Sequence, residues 1–113
     1  MTREAIRAFC LQLPHVTEAS KMHHAVFQIG GKPFAWLNLE VEGLPLSIKC
    51  TPERYAEMIE IPGVIPAPYM AHNHWVSIEE FDSLPAAELK DSLRRSREAV
   101  LTKLSKKAQA QLA

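Results

Sequence analysis

"HAVFQIGGKPFAWLNLE", residues 24–40, decides the fold. Two runs of alternating apolar and polar side chains flank "GGK". Alternation with a period of two marks half-buried strands, and paired glycines supply the positive φ of a tight turn. The stretch therefore reads as a β-hairpin. Working outward, "EGLP" (42–45) makes a second turn, and "LPLSIKC" (44–50) gives a third strand.

Helices flank this sheet. Upstream, Thr2 caps a helix over Thr2–Leu13 that Pro14 stops, with Ile6, Phe9, Cys10 and Leu13 on one apolar stripe. Downstream, "TPERYAEMIEIPG" (51–63) reads as a short helix. Thr51 caps it, Pro52 takes the first helical position, and Pro62–Gly63 ends it. "VIPAPYMAHNHWVSIEEF" (64–81) contains Pro66, Pro68 and "HN". It reads as an irregular approach, a turn near Asn73 and a strand over His74–Glu80. A long C-terminal helix starts at Ala86, with Leu89, Leu93, Ser96, Val100 and Leu104 as its buried stripe. Lys90, Arg94 and Arg97 share a neighbouring face.

Side chains alternate across a strand, so parity splits each strand into two faces. Ala25, Phe27, Ile29, Ala35, Leu37, Leu39, Leu46, Ile48, Cys50, His74, Val76 and Ile78 form one set, which is aliphatic and fits packing against helices. Phe34, Trp36, Trp75, Gln28, Asn38, Ser47 and Lys49 form the other. Two readings stand for the tryptophans: platforms on an open sheet face, or a second small core closed by the "PGVIPAPYM" segment.

The chain has 113 residues, 47% of them hydrophobic, enough for one small domain with a real core. Thirteen Lys and Arg balance thirteen Asp and Glu. No global field pulls such a chain onto phosphate or anionic membranes, so any nucleic-acid contact needs a local patch. No apolar run approaches the ~20 residues of a membrane span, and the N-terminus shows no signal peptide. Cys10 and Cys50 form no C-x-x-C pair and fit a reducing cytoplasm, with a single disulfide as the alternative.

The chemistry-bearing motifs are sparse. Five histidines (His15, His23, His24, His72 and His74) show no metal-ligand spacing, and His72 and His74 share a face only if the strand extends back through Asn73. Cys50 follows Lys49 and precedes a helix start, which favours a thiolate, but its parity points it inward. No nucleophile–base pair is legible, so the expectation is a protein without enzymatic activity, metal or cofactor.

Several motifs together resemble the MmcQ/YjbR family of small bacterial domains: "LPHVTE", "AVFQIGGKPFAWLNLE", "LSIKCTPE", "PGVIPAPYM", "HW" at His74–Trp75, "LP" at Leu84–Pro85 and "KLSKK" near the end. They span nearly the whole chain in order. The resemblance implies an α+β fold, an antiparallel sheet with helices on one face, similar to frataxin-like folds and described as a double wing. It also implies a shared signature at Gly31, Lys32, Lys49, Cys50, Gly63, Tyr69, Met70, His74 and Trp75. Relatives are commonly described as DNA-binding on structural likeness, which does not by itself fix a function. The resemblance implies a basic residue two before Trp75. Asn73 stands there instead and weakens the case for a phosphate contact.

The resulting expectation is a single binding domain over 1–113, with double-stranded DNA as its partner. Lys32, Lys49 and the Lys90, Arg94, Arg97 helix face meet phosphates, while Trp36 and Trp75 offer stacking contacts. The alternative is a protein- or small-ligand-binding module that uses the aromatic sheet face.

Overall fold

In a computed structural model, which describes residues 1–112, the hairpin forms where its glycines place it. Strands β2 (His24–Ile29) and β3 (Lys32–Asn38) pair antiparallel across Gly30 and Gly31. These glycines have φ of 57° and 77°, the left-handed region that other residues enter at a cost of ~1–2 kcal/mol. Strand β4 (Leu46–Lys49) pairs with β3, and β6 (Trp75–Ile78) pairs with β4. Two edge strands complete the sheet: β1 (Val16–Lys21) beside β2, and β5 (Val64–Pro66) beside β6. The order is β1-β2-β3-β4-β6-β5, antiparallel throughout.

The helices α1 (Arg3–Gln12), α2 (Pro52–Met58) and α3 (Ala86–Leu101) pack on one face. Thr2 Oγ1 accepts from the Ala5 amide at 3.1 Å, and Thr51 Oγ1 from the Arg54 amide at 3.2 Å, so both predicted caps form. Ile6 and Cys10 of α1, Met58 of α2, and Leu89 and Leu93 of α3 are buried against Phe27, Ile29, Leu37, Ile48, Val76 and Ile78. Burying each large aliphatic side chain stabilises the fold by ~1.5–3 kcal/mol, so this aliphatic parity set carries most of the driving force. The Cα radius of gyration, 13.2 Å, matches the ~13 Å of one domain of this length.

Six local expectations need correction, the last at the opening of β6. Strand β1, "VTEASK", was absent from the sequence reading, because an edge strand that is mostly half-buried or exposed carries little apolar alternation. Strand β5 replaces part of the irregular approach, with Pro66 tolerated at a sheet edge. Phe34 belongs to the helix-side core: the register slips near Gln28, pairing Phe27 with Ala35 and Gln28 with Pro33, and this irregularity reverses the parity there. Leu39 lies beyond the end of β3 and is exposed rather than inward. The C-terminal helix is two helices: α3 ends at Leu101, and Ser105 caps α4 (Lys106–Ala110) by accepting from the Ala108 amide. Leu104 therefore sits in the intervening turn, where its Cδ1 lies 2.7 Å from the position a side chain at Gly30 would occupy.

The opening of β6 also differs. Residues Ala71–Asn73 form a 3₁₀ turn, and His74 ends it at φ 63°, so the strand starts at Trp75. His74 still faces a helix, edge-on to Tyr55 of α2 with ring centroids 5.5 Å apart.

Candidate functional site

Antiparallel pairing brings the start of β3, the end of β4 and the start of β6 to one end of the sheet. Lys32 opens β3, Lys49 closes β4 and Trp75 opens β6, with Lys49 and Trp75 directly paired. The break after Leu101 then carries Lys103 and Leu104 to the same end. These residues, with Pro33, Asn73 and Val100, line a hollow of about 270 Å³. Trp75, Val100 and Leu104 give it apolar walls, three lysines give it positive charge, and among the described residues no carboxylate side chain lines it.

Lys49 is the most constrained of the three. Its Nζ donates to the Asn73 carbonyl oxygen. Its pKa is lowered, first by partial burial and next by the charge of Lys103, while the neighbouring Cys50 opposes the shift. The repulsion between Lys49 and Lys103 is unfavourable, and a bound anion would relieve it.

Trp75 is only 7% exposed, and all four residues of β6 are buried. Its indole is a wall of the hollow rather than an open platform. Trp36 is half-buried and packs edge-on against His24, with ring centroids 5.6 Å apart. Trp36 pairs with Ser47, and Ser47 with Ser77, two residues beyond Trp75, so the tryptophans occupy different rows of the sheet. The row through Trp36 continues to the Ser47 and Ser77 hydroxyls, 2.6 Å apart.

The basic face of α3 is committed to packing. Lys90 Nζ and the Arg94 guanidinium lie over the Phe9 ring of α1, at 5.9 and 5.3 Å from its centroid. Arg97 is 9% exposed, and its Nε donates to the Pro14 carbonyl at 2.8 Å. These three side chains join α3 to α1 and to the turn that follows it, and none of them lines the hollow. Lys103 belongs to the basic "KLSKK" run, and a continuous helix would keep it on the α3 strip rather than at this end of the sheet. Ser105, a cap residue three before Ala108, was the available signal that a new helix begins there.

Cys10 and Cys50 are free and buried. Burial pushes the Cys10 thiol up to about 12. It pushes Cys50 up to about 11, against the lowering influence of Arg54 and Lys49. Thiols so shifted are protonated at neutral pH and poor nucleophiles. The 3₁₀ turn keeps His72 and His74 off a common strand face, and among the described residues no group of three His, Cys, Asp or Glu is placed to hold a metal ion. Among those residues, no helix is long and apolar enough to cross a membrane.

Three comparisons place this geometry among known proteins. The chain is 30% identical over 110 residues to the uncharacterized protein YbdF of Escherichia coli O157:H7, covering 94% of this chain and 89% of that protein. It superposes on the crystal structure of Deinococcus radiodurans protein DR2400, of domain family DUF419, with a TM-score of 0.86 and 28% identity, covering 98% of this chain and 87% of the other. A Pseudomonas syringae protein shares the fold at a TM-score of 0.71 and 20% identity, over 88% of this chain and 98% of that one. The pattern of the YjbR family matches residues 11–99, a span that runs from the end of α1 through all six strands and most of α3, and the chain belongs to that family.

Proposed function

We propose that this chain is a nucleic-acid-binding domain that acts by binding rather than catalysis, gripping the phosphate backbone at the lysine-lined end of its sheet. The observation that carries the reading is the meeting of Lys32, Lys49 and Lys103, from three separate elements, on one hollow that no carboxylate side chain of the described residues lines. Lys106 and Lys107, exposed on α4, extend the positive strip along the chain. Phosphate contacts of this kind position a protein without reading sequence, which suits a chain of zero net charge that has only a local patch to offer. Trp75 backs the hollow, and the half-buried Trp36 is the aromatic side chain left for stacking. The β2–β3 turn beside Lys32 adjoins the basic end and is available to a duplex held there. Two free buried thiols fit a cytoplasmic setting.

The test is anisotropy of a labelled mixed-sequence duplex of about 20 base pairs, titrated at two salt concentrations. Three phosphate contacts predict a loss of about 40-fold in affinity between 50 and 200 mM salt. Lys103→Glu should abolish binding at the lower salt, whereas Lys90→Ala, which changes a residue packed on Phe9, should leave it unchanged. Absence of binding at low salt, or equal affinity of wild type and Lys103→Glu, would overturn the proposal.

A further inference from the structure

A second cavity, of about 320 Å³, opens on the other side of Lys49. The end of β4, the helix α2 and the last turns of α3 form its walls. Its floor is apolar: Ile48, Met58 and Ala99 are buried residues of two helices and a strand. Its charged groups are mainly cationic, although Arg95 is paired with Asp91 at 2.9 Å. Lys49, Arg54 and Arg95 line it, against the single carboxylate of Glu98, whose oxygen lies 3.6 Å from the Arg97 guanidinium outside the lining.

Arg54 is the informative side chain. Its Nη1 is held by Glu57 at 3.1 Å. Its Nη2 makes only a long contact, 3.3 Å, to the Ser92 hydroxyl. Its Nε is buried with no acceptor. The Nε and Nη2 protons point along one edge of the guanidinium, the edge that takes a planar carboxylate in a two-pronged bond. That edge is under-satisfied but closed to a water-sized atom, so a ligand reaches it only when the side chain turns toward the cavity. Ser92 and Ser96 bring further hydroxyls that are nearly closed to bulk water. An apolar floor with a few convergent polar groups, at the lower end of the ~300–1,000 Å³ range of ligand pockets, suits a small molecule.

We infer that this cavity binds a small organic carboxylate with an apolar body. The carboxylate meets the Arg54 guanidinium as it turns its Nε–Nη2 edge into the cavity, Arg95, paired with Asp91, adds positive charge at the rim, and the apolar body rests on Ile48, Met58 and Ala99. The inference is independent of the nucleic-acid reading, since only Lys49 is common to the two cavities.

The experiment is an amide-shift titration of the full chain with phenylacetate and, as the uncharged control, phenylacetamide. Saturable shifts with phenylacetate at Ser92, Ser96, Ala99 and Thr102 are expected, with the amide weaker by about tenfold or more, the difference between a charge-assisted pair and a neutral one. Arg54→Lys keeps the charge but loses the planar fork, and should weaken phenylacetate by a similar factor. If that variant does not fold, Arg95→Gln, at a side chain 58% exposed, should still weaken binding several-fold. Lys32→Glu, at a residue that lines the other hollow alone, should leave phenylacetate affinity unchanged while weakening nucleic-acid binding, so the two losses are separable. No saturable shift with phenylacetate, benzoate or hexanoate, equal affinity of acid and amide, or affinity indifferent to both Arg54→Lys and Arg95→Gln would overturn the inference.

Discussion

Replacing Trp75 by alanine should cost stability before it costs anything else. The indole stands at the start of a strand whose four residues are all buried, and it is 7% exposed. A tryptophan so placed hides ~150–250 Å² of surface. At ~25 cal/mol per Å² the transfer term is about 4–6 kcal/mol. An unfolded chain that already hides ~10–40% of that surface lowers the figure to about 2.5–5.5 kcal/mol. One side of the indole borders the lysine-lined hollow, so truncation there enlarges an existing hollow instead of opening a sealed void. That geometry favours the lower end, about 3 kcal/mol. With a urea dependence of ~1.5 kcal/mol/M, the midpoint should fall by about 2 M. Far-UV circular dichroism and the fluorescence of the remaining Trp36 should report the same transition. A midpoint loss worth under ~1 kcal/mol at an unchanged slope would refute the reasoning, because it would show that the indole contributes little to the packed interior.

Two further outcomes follow from particular side chains. Arg97→Ala should lower stability by ~2–3 kcal/mol in urea unfolding, since it removes a nearly buried charged donor from the Pro14 carbonyl, whereas Arg95→Ala on the exposed side of α3 should change it by less than ~0.5 kcal/mol. The cysteines predict a loss of stability in alkali. Their folded pKa values lie above the ordinary 9.0, at about 12 for Cys10 and about 11 for Cys50, so the unfolded chain releases these protons first. The contribution is complete below about pH 9 and declines as pH rises through the folded values. The urea midpoint should drop between pH 9 and 11, less steeply in Cys10→Val, and native thiols should react slowly with a disulfide reagent at pH 7.

The parts of this fold legible in the sequence are those in which local and tertiary preferences coincide. Thr2 and Thr51 cap their helices because the amides they accept from lie within their own first turns. Gly30 and Gly31 make the hairpin because left-handed φ is needed there whatever packs nearby. The aliphatic parity set found the core because burial and alternation give one answer for Phe27, Leu37, Ile48 and Val76. Reading failed where a distant contact or a change of register overrode the local pattern. Phe34 changes face through a register slip set by pairing with β2, and β1 is a strand because β2 offers it an edge, not because "VTEASK" alternates.

The lysine-lined site sits on that same boundary between local and distant causes. Lys32 and Lys49 were legible as strand-end charges, since a turn follows or precedes each. Lys103 was not, because Leu104 continues the i, i+3, i+4 stripe of α3 so well that an unbroken helix satisfies the periodicity. The break serves a contact that periodicity does not encode: Leu104 packs beside the glycine turn at Gly30, and a side chain there would meet it. Unwinding after Leu101 forgoes a turn of helix, recovers part of that cost through the Ser105 cap, and moves Lys103 off the helix toward Lys32 and Lys49. Three like charges are thereby gathered at one end of a chain whose charges otherwise balance. That local excess is unfavourable for folding alone, and it is the physical reason for seeking the ligand there.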